Sequence, residues 1–333
     1  MFHNTSIYEQ LTALPYLPAY KRLLEGAIEL DVFSQLEQPV SAADLARRMG
    51  WNEANTRYLL QGLHSIGFAA KKDDLFRNTS ETSEYLVKGK PGYMGGVLLF
   101  FGANQGMALE GLAEQVKNGP QPTQQAEQSL DFAAYGAMMR EAQSGIRQQE
   151  LVSLVRSLPE NGEIRRILDL GCGAGLLGIA VVNDAAARSG VLFDQPPMQA
   201  LMEETVSMQA MQDRITVMTG DFLRDDIGAG YDLILCSSIM LFAIMGGPAF
   251  FEKLHSALNP GGVVLCLNEG IEPDRSGPWD MVLGYLTYNL QGMPMGVLKG
   301  QVAETAKAGG FAHVETRTRL LSTGTHEITV LRK

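Results

Sequence analysis

The pattern of apolar and polar positions changes near residue 165. Beyond it, short apolar runs alternate with segments whose apolar residues recur at helical spacing, which is typical of strands separated by helices. This alternation predicts a doubly wound α/β sheet whose ligand lies at the carboxyl ends of the first strands. The predicted strands are Arg166–Leu170, Val191–Asp194, Ile215–Thr219, Asp232–Ser237, Val263–Leu267, His313–Leu320 and Ile328–Leu331.

Residues 1–95 instead predict helices followed by a short hairpin. An apolar-periodic segment covers Pro18 to Leu36, and Ser41 and Asn52 are placed to cap two successive helices. The stretch "FAAKKDDLFRNT" then predicts two strands around a Lys-Asp-Asp turn. The result is a helix–turn–helix with a wing. The apolar face of its second helix is predicted to contain Tyr58, Leu59, Leu63 and Ile66.

The chain is therefore predicted to have three parts. Residues 1–95 form a winged-helix-like dimerisation domain, residues 96–160 a helical linker with part of the substrate pocket, and residues 161–333 a ligand-binding α/β domain. The middle part is rich in aromatic residues and methionine, and a Pro/Gln-rich stretch, "NGPQPTQQAEQ", interrupts it. Ligand clefts are common between domains, although such apolar stripes also form ordinary cores.

Composition excludes several classes of protein. With 45% hydrophobic and 19% charged residues, the chain is typical of soluble globular proteins. A net charge of −10, and a second helix carrying one Arg and one Glu, argue against binding to nucleic acid or an anionic membrane. We find neither a membrane-spanning run nor a secretory signal, so a cytoplasmic location is predicted. Cys172, Cys236 and Cys266 lack metal-site spacing, so neither a metal nor a disulfide is predicted.

The stretch "ILDLGCGAGLLG" contains the most informative turn. Gly173, Gly175 and Gly178 fit G-x-G-x-x-G, a weak indication of a dinucleotide site. Asp169, two residues before Gly171, would repel a pyrophosphate in a poorly screened site but attract an ammonium or sulfonium group. Gly171 and Gly173 would let the ligand approach the backbone. The turn therefore favours S-adenosylmethionine over a dinucleotide.

Two further acids follow the next strands. Asp194 ends the second strand, where a carboxylate accepts both ribose hydroxyls, as it would also in an NAD site. Asp221 follows the third strand and could accept from an adenine amino group while Phe222 covers the ring. Each acid alone could be a helix cap or a solvated loop residue. Three at successive strand ends favour a nucleoside with a positive charge.

The chain resembles the class I S-adenosylmethionine-dependent methyltransferases. More narrowly, it is similar to the winged-helix small-molecule O-methyltransferases, which include plant caffeate and isoflavone enzymes and bacterial antibiotic-tailoring enzymes. The resemblance implies an intertwined homodimer that forms S-adenosylhomocysteine as product. It rests on "LLEGAIELDVFSQL", "SAADLARRMG", "YLVKGKPG", "YGAMM", "ILDLGCGAG", "FDQPPM", "GDF", "ALNPGG" and "AGGFAHVE".

The resemblance also implies site residues, with one departure. The family's base is a His in a Leu-His-Asp-Trp-like segment, and the corresponding residue here is Met240. A Lys usual near the adenine corresponds to Cys236, and Glu269 is the remaining candidate for a base. The other implied cofactor contacts are Cys172, Gln195 and Ser237, and the implied substrate contacts are Tyr135, Met139, Met240, Tyr285 and Asn289.

The absence of the family's catalytic His limits the acceptors that the enzyme could methylate. Orientation and desolvation supply most of the acceleration of a methyl transfer, and base catalysis adds about 10²–10⁴-fold only where the acceptor must lose a proton. The sequence thus predicts methyl transfer to a small aromatic or hydrophobic metabolite through an O, N, S or C atom that is already nucleophilic. Two alternatives stay open: an S-adenosylmethionine-binding enzyme of this fold with other chemistry, and a ligand-sensing winged-helix regulator.

Overall fold

The computed structural model describes residues 6–105, 112–120, 132–293 and 295–333, with the backbone alone at 103–105 and 132–135. They form two compact units, Met1–Leu99 and Phe100–Lys333. The division into three functional parts at residues 95 and 160 stays a prediction. Within the described residues, no helix is long and apolar enough to cross a membrane.

The first unit contains a helical cluster and a small three-stranded sheet of order β1-β3-β2. As predicted, Ser41 accepts from the amide of Asp44 and Asn52 from that of Asn55, so both side chains cap helix N-termini. The helices are α1 (Ile7–Ala13), α2 (Leu17–Glu29), α3 (Val32–Gln35), α4 (Ala42–Met49), α5 (Glu53–Ser65) and α6 (Ser80–Leu86). The strands are β1 (Val40–Ser41), β2 (Ala69–Lys72) and β3 (Leu75–Asn78).

Two details of this unit differ from the prediction. The long apolar segment is broken at Asp31, whose φ of 50° is incompatible with a continuous helix. On α5, Tyr58 is 69% exposed, whereas Thr56, Leu60 and Leu63 are buried. The buried residues are spaced by four and three positions, so they share one face, and Tyr58 lies about half a turn away from it. The predicted face containing Tyr58 was therefore wrong.

The second unit is a seven-stranded sheet with helices on both faces, and α7 (Gly95–Gln105) enters it from the first unit. Its helices are α8 (Leu112–Asn118), α9 (Phe132–Gln143), α10 (Ile146–Arg156), α11 (Leu176–Asn183), α12 (Gln199–Met208), α13 (Met240–Ala243), α14 (Gly247–Ala257), α15 (Trp279–Gly284), α16 (Leu286–Leu290) and α17 (Gln301–Ala308). Its strands are β4 (Arg166–Leu170), β5 (Ser189–Asp194), β6 (Ile215–Thr219), β7 (Tyr231–Ser237), β8 (Leu258–Asn268), β9 (His313–Leu321) and β10 (Gly324–Arg332).

All seven predicted strands are present, which confirms the fold class. The sheet order is β6-β5-β4-β7-β8-β10-β9, and β10 runs antiparallel to both neighbours. Strand β4 pairs in parallel with β5 on one side and β7 on the other. The chain order therefore reverses between β4 and β7, and a ligand crevice is expected at their carboxyl ends.

Two apolar cores cover the two faces of this sheet. Along β4, Ile167 belongs to one core, and Leu168 and Leu170 belong to the other. Successive side chains of a strand alternate in direction, so Asp169 points to the face of Ile167. That face also contains Leu177 and Ile179 of α11. The strand thus directs its one carboxylate toward the start of a helix.

Candidate active site

A cleft of about 660 Å³ opens at the carboxyl ends of β4, β5, β6 and β7. Asp169, Asp194, Asp221 and Ser237 all line it, each at or just after the end of its strand. Its position is the crevice predicted by the strand order. Residues far apart in sequence are brought together because parallel strands end at one edge.

Glycines shape the turn between β4 and α11. Gly171, Gly173 and Gly175 have φ values of 68°, 58° and 83°, a region that side-chain-bearing residues rarely adopt. A Cβ on Gly171 would lie 2.4 Å from Cγ2 of Ile239, and one on Gly173 would lie 2.6 Å from Sδ of Met139. The backbone of this turn therefore lies directly against its neighbours. It presents main chain, without side chains, to the cleft.

Asp169 lies at the base of the cleft and is 2% exposed. One oxygen, Oδ2, accepts from the amide of Gly178 at 2.9 Å. A Cβ on Gly178 would lie 2.7 Å from that same oxygen, so the third glycine of the motif makes room for the carboxylate. Burial raises the pKa of Asp169 to about 7, although the Gly178 amide and Arg147 oppose that shift. A positive ligand would offset this cost of burying the charge.

Asp194, at the end of β5, accepts hydrogen bonds that hold the glycine turn. Its Oδ2 accepts from the amide of Gly173 and its Oδ1 from that of Gln195, both at 2.7 Å. Burial raises its pKa, and the two amides lower it. Each carboxylate oxygen keeps a second lone pair for a ligand.

Asp221 and Phe222 form the side of the cleft beyond β6. Asp221 is half-exposed, accepts from the Leu223 amide at 2.9 Å, and has Arg224 at 3.6 Å. The ring of Phe222 packs edge-on against Phe250 at 5.9 Å, which fixes its orientation. A carboxylate and a held aromatic ring are thus adjacent at this end.

Sequence patterns did not indicate Arg147, which lies on α10 and lines the cleft. Burial lowers the pKa of Arg147, and the nearby negative charges of Glu150 and Asp169 partly oppose that shift. Its guanidinium forms no hydrogen bond with a described residue. A partly buried cation with unused donors can hold an anionic group. The sequence offered one signal for Arg147, which is its position in the first turn of the helix that precedes β4 and the glycine turn.

Apolar side chains line the same cleft. They are Phe100, Phe101, Phe242, Met139 and Met245. Phe242 and Met245 are 55% and 79% exposed within this chain. Large exposed apolar side chains beside a polar floor are typical of a site for an organic ligand.

Known proteins resemble the chain in this region and beyond it. A lysine methyltransferase family model matches residues 142–269, and an IclR helix-turn-helix model matches residues 30–73. A 3-hydroxy-5-methyl-1-naphthoate 3-O-methyltransferase from Streptomyces sahachiroi is 27% identical over 78% of this chain and 76% of its own length. A tetracenomycin polyketide synthesis 8-O-methyltransferase from Streptomyces glaucescens is 26% identical over 80% and 79%. The protein is an S-adenosylmethionine-dependent methyltransferase, and the relatives that it resembles are O-methyltransferases.

Solved structures share the fold of this methyltransferase over its whole length. Human N-acetylserotonin methyltransferase, solved with S-adenosylmethionine, superposes with a TM-score of 0.74 at 19% identity, covering 100% of this chain and 99% of that one. The pyocyanin biosynthetic protein PhzM superposes with a TM-score of 0.76 at 21% identity, covering 98% and 99%. Both likenesses support the α/β architecture with its helical N-terminal unit.

The cleft of the methyltransferase fits S-adenosylmethionine, its cofactor. The floor carries carboxylates that would repel a pyrophosphate and attract the ammonium and sulfonium charges of this nucleoside. The turn exposes main chain where a Cβ would collide with Met139 or Ile239. The predicted contacts Cys172, Gln195 and Ser237 also line the cleft.

Two predicted contacts lie elsewhere. Cys236 is fully buried and Met240 is 1% exposed, and both belong to the core beneath the cleft. Strand β7 directs Cys236 away from α11, and α13 directs Met240 inward while Phe242, half a turn on, faces the cleft. Neither side chain lines the cleft, and the contacts of Cys236 with adenine and of Met240 with the acceptor stay predictions.

The remaining candidates form a separate network after β8. Glu269 accepts from the Tyr285 hydroxyl at 2.5 Å and from the Val297 amide at 3.3 Å. Burial and the Glu269 charge raise the pKa of Tyr285 well above its usual range. Asn289 accepts from the Met295 amide at 3.0 Å. None of these three lines the cleft, and the Tyr135 side chain lies outside the described residues.

Proposed function

We propose that this methyltransferase methylates an oxygen of a small aromatic or hydrophobic metabolite, and that it does so without a protein base. The observation that carries the proposal is that carboxylates and a set of aromatic and methionine side chains line the same cleft. The carboxylates suit a cationic nucleoside, and the aromatic and methionine side chains suit a flat apolar acceptor. Both named bacterial relatives are O-methyltransferases, one of them for a hydroxylated naphthoate.

The proposed cofactor contacts follow from the geometry. When bound, S-adenosylmethionine supplies an electrophilic methyl group on a positively charged sulfur. Asp169, which lines the cleft, would attract the positive groups of the cofactor, and Asp194 keeps lone pairs that can accept from the ribose hydroxyls. Asp221 accepts from the adenine amino group beside the ring of Phe222. Arg147 binds the carboxylate of the amino-acid end, since its donors are unused.

The chain's own contribution to the reaction is orientation and exclusion of water. Of the described residues that line the cleft, none is a histidine. Glu269 already accepts from Tyr285 and Val297, so we assign it a structural role and not that of a base. The acceptor proton then leaves to solvent, and the acceptor reacts in its deprotonated form. Desolvation by Phe100, Phe101 and Phe242 strengthens that nucleophile.

A series of substituted phenols tests this proposal. Phenols of graded acidity are incubated with enzyme and labelled S-adenosylmethionine that is saturating at every pH, so that titration of Asp169 does not enter, and kcat/KM for the phenol is followed against pH. We expect each profile to rise with the phenolate fraction and to level off above the pKa of that phenol. A common pKa near 6.5 for every phenol, as an enzyme histidine would impose, would contradict the absence of a base.

We also propose that the enzyme is a homodimer. Helix α1 and the turn after it contain no buried residue, and Ile7, Tyr8, Leu11, Leu14 and Tyr16 are each more than half exposed. A contiguous apolar stretch of this kind favours a protein partner. A second copy of the chain is the partner that the family resemblance implies. The cytoplasmic location stays a prediction.

A further inference from the structure

Helix α11 begins without a capping side chain of its own. Its N-cap residue is Gly175, and the helix starts at Leu176. The first amides of a helix have no partner inside it and need one from elsewhere. Here Asp169 accepts from Gly178, and the amide of Leu176 donates to Oε1 of Gln143 at 3.2 Å. Two distant elements therefore cap this helix.

Gln143 makes a second bond with the same turn. Its Nε2 donates to the carbonyl of Cys172 at 2.9 Å, and the residue is 7% exposed. A carboxamide offers a donor and an acceptor on one planar group, and both are used here. Gln143 thus joins the carbonyl at the start of the turn to the amide at its end.

The turn has few other anchors. The amides of Gly171 and Cys172 donate to the carbonyl of Phe193 at 2.8 and 3.2 Å, and that of Gly173 donates to Asp194. These bonds hold the half of the glycine turn that lies next to β4 and β5. In the half of the turn next to α11, the side chains of Gln143 and Asp169 accept from the amides of Leu176 and Gly178, and among the described residues Gln143 is the one whose side chain also bonds the other half.

We propose that Gln143 is a positioning residue that holds the glycine turn in its cofactor-binding shape before the cofactor arrives. The inference rests on the proposed cofactor site and extends it to a residue at the end of α9. Without Gln143, the Leu176 amide would be buried with no partner, and the turn would relax away from the cleft. The cofactor would then have to order the turn as it binds, which weakens binding.

The first test compares Gln143→Met with Gln148→Met. Gln148 lies on α10 and contacts Leu176 through one longer bond, from Nε2 to the carbonyl at 3.4 Å, so it is a matched control. Titration calorimetry with S-adenosylhomocysteine is expected to give a Kd about tenfold higher for Gln143→Met, as expected for the loss of one or two buried hydrogen bonds. The control should stay within about twofold of wild type. Equal Kd values for both variants would overturn the inference.

A second variant distinguishes positioning from general packing. Gln143→Glu removes the donor while the introduced carboxyl is ionised and restores it when that group is protonated. Asp169, Asp194 and Arg147 line the same cleft, and the two acids favour protonation while the arginine opposes it. The ratio of the variant Kd to the wild-type Kd is therefore expected to fall toward one as pH falls from about 8 to about 5. A ratio independent of pH would contradict the role of the paired bonds.

Hydrogen–deuterium exchange in the wild-type enzyme tests the role of Gln143 without any variant. In the free enzyme the Leu176 amide should exchange slowly with deuterium, because Gln143 accepts from it. Exchange as fast as in an unstructured peptide would overturn the inference even if the variants do not fold. If wild-type enzyme fails to bind S-adenosylhomocysteine, the proposed cofactor site is wrong. If it binds and the Gln143 variants bind equally well, only the role of Gln143 is wrong.

Discussion

Cofactor binding should depend on pH through one buried carboxyl group. Burial raises the pKa of Asp169 to about 7, so much of the free enzyme holds a proton there at neutral pH. A positively charged ligand binds better to the ionised form, because its charge replaces the lost hydration of the carboxylate. Binding below pH 7 must therefore release that proton.

The size of the effect follows from the pKa. At pH 8 Asp169 is largely ionised, and at pH 6 about one molecule in ten is. The Kd for S-adenosylmethionine should thus be about tenfold higher at pH 6 than at pH 8, and should change little above pH 8. The Asp169→Asn variant removes the titrating group but keeps an oxygen that can accept from Gly178. Its Kd should be weaker at pH 8 and nearly constant over the same range.

Calorimetric titrations at several pH values, repeated in buffers of different ionisation enthalpy, measure both the Kd and the protons released. Asp194 is the necessary control, because burial raises its pKa too and it contributes in the same direction. Asp194→Asn should keep an inflection from Asp169 but move it below pH 7, because the Asp194 charge helps to raise the pKa of Asp169. A wild-type Kd that is flat from pH 6 to pH 8, or an unchanged slope in Asp169→Asn, would refute the reasoning.

Two further predictions concern stability and assembly. The folded-state pKa of Asp169 lies above its unfolded value of 3.8, so its charge destabilises the free fold increasingly as pH rises from about 4 to 7, by roughly 4 kcal/mol in full. Asp169→Asn should therefore raise the melting temperature at pH 8 by at least about 5 °C, and a lower value would contradict this cost. The Leu11→Lys variant should reduce the mass by light scattering from twice 36.2 kDa to that of one chain, whereas Leu320→Lys, at another exposed apolar position, should not. A wild-type monomer would exclude the dimer.

The fold could be predicted from sequence because strands and turns are local features. Each strand predicted between residues 166 and 331 is a strand of the sheet, and Ser41 and Asn52 cap helices as their side-chain chemistry requires. The acids at the strand ends could be predicted for the same reason, since parallel strands bring their ends together. Asp169 combines two roles that had been treated as alternatives, since it caps α11 and also lines the cleft.

The other site residues depend on tertiary packing. Met240 and Phe242 are both apolar, and only the direction of α13 decides that the first is buried and the second faces the cleft. No sequence motif marks Arg147 or Gln143, and each comes to the cleft because its helix packs beside the glycine turn. A sequence pattern gives spacing along one element, whereas these roles depend on which elements pack together.

A crystal structure grown with S-adenosylhomocysteine tests most directly whether the carboxylate-lined cleft is the cofactor site. We predict that the ribose hydroxyls lie within hydrogen-bond distance of Asp194. The adenine should lie beside Asp221 and Phe222, and the amino-acid carboxylate should lie at Arg147. Density for the ligand elsewhere, with Asp169 and Asp194 facing only solvent, would contradict it.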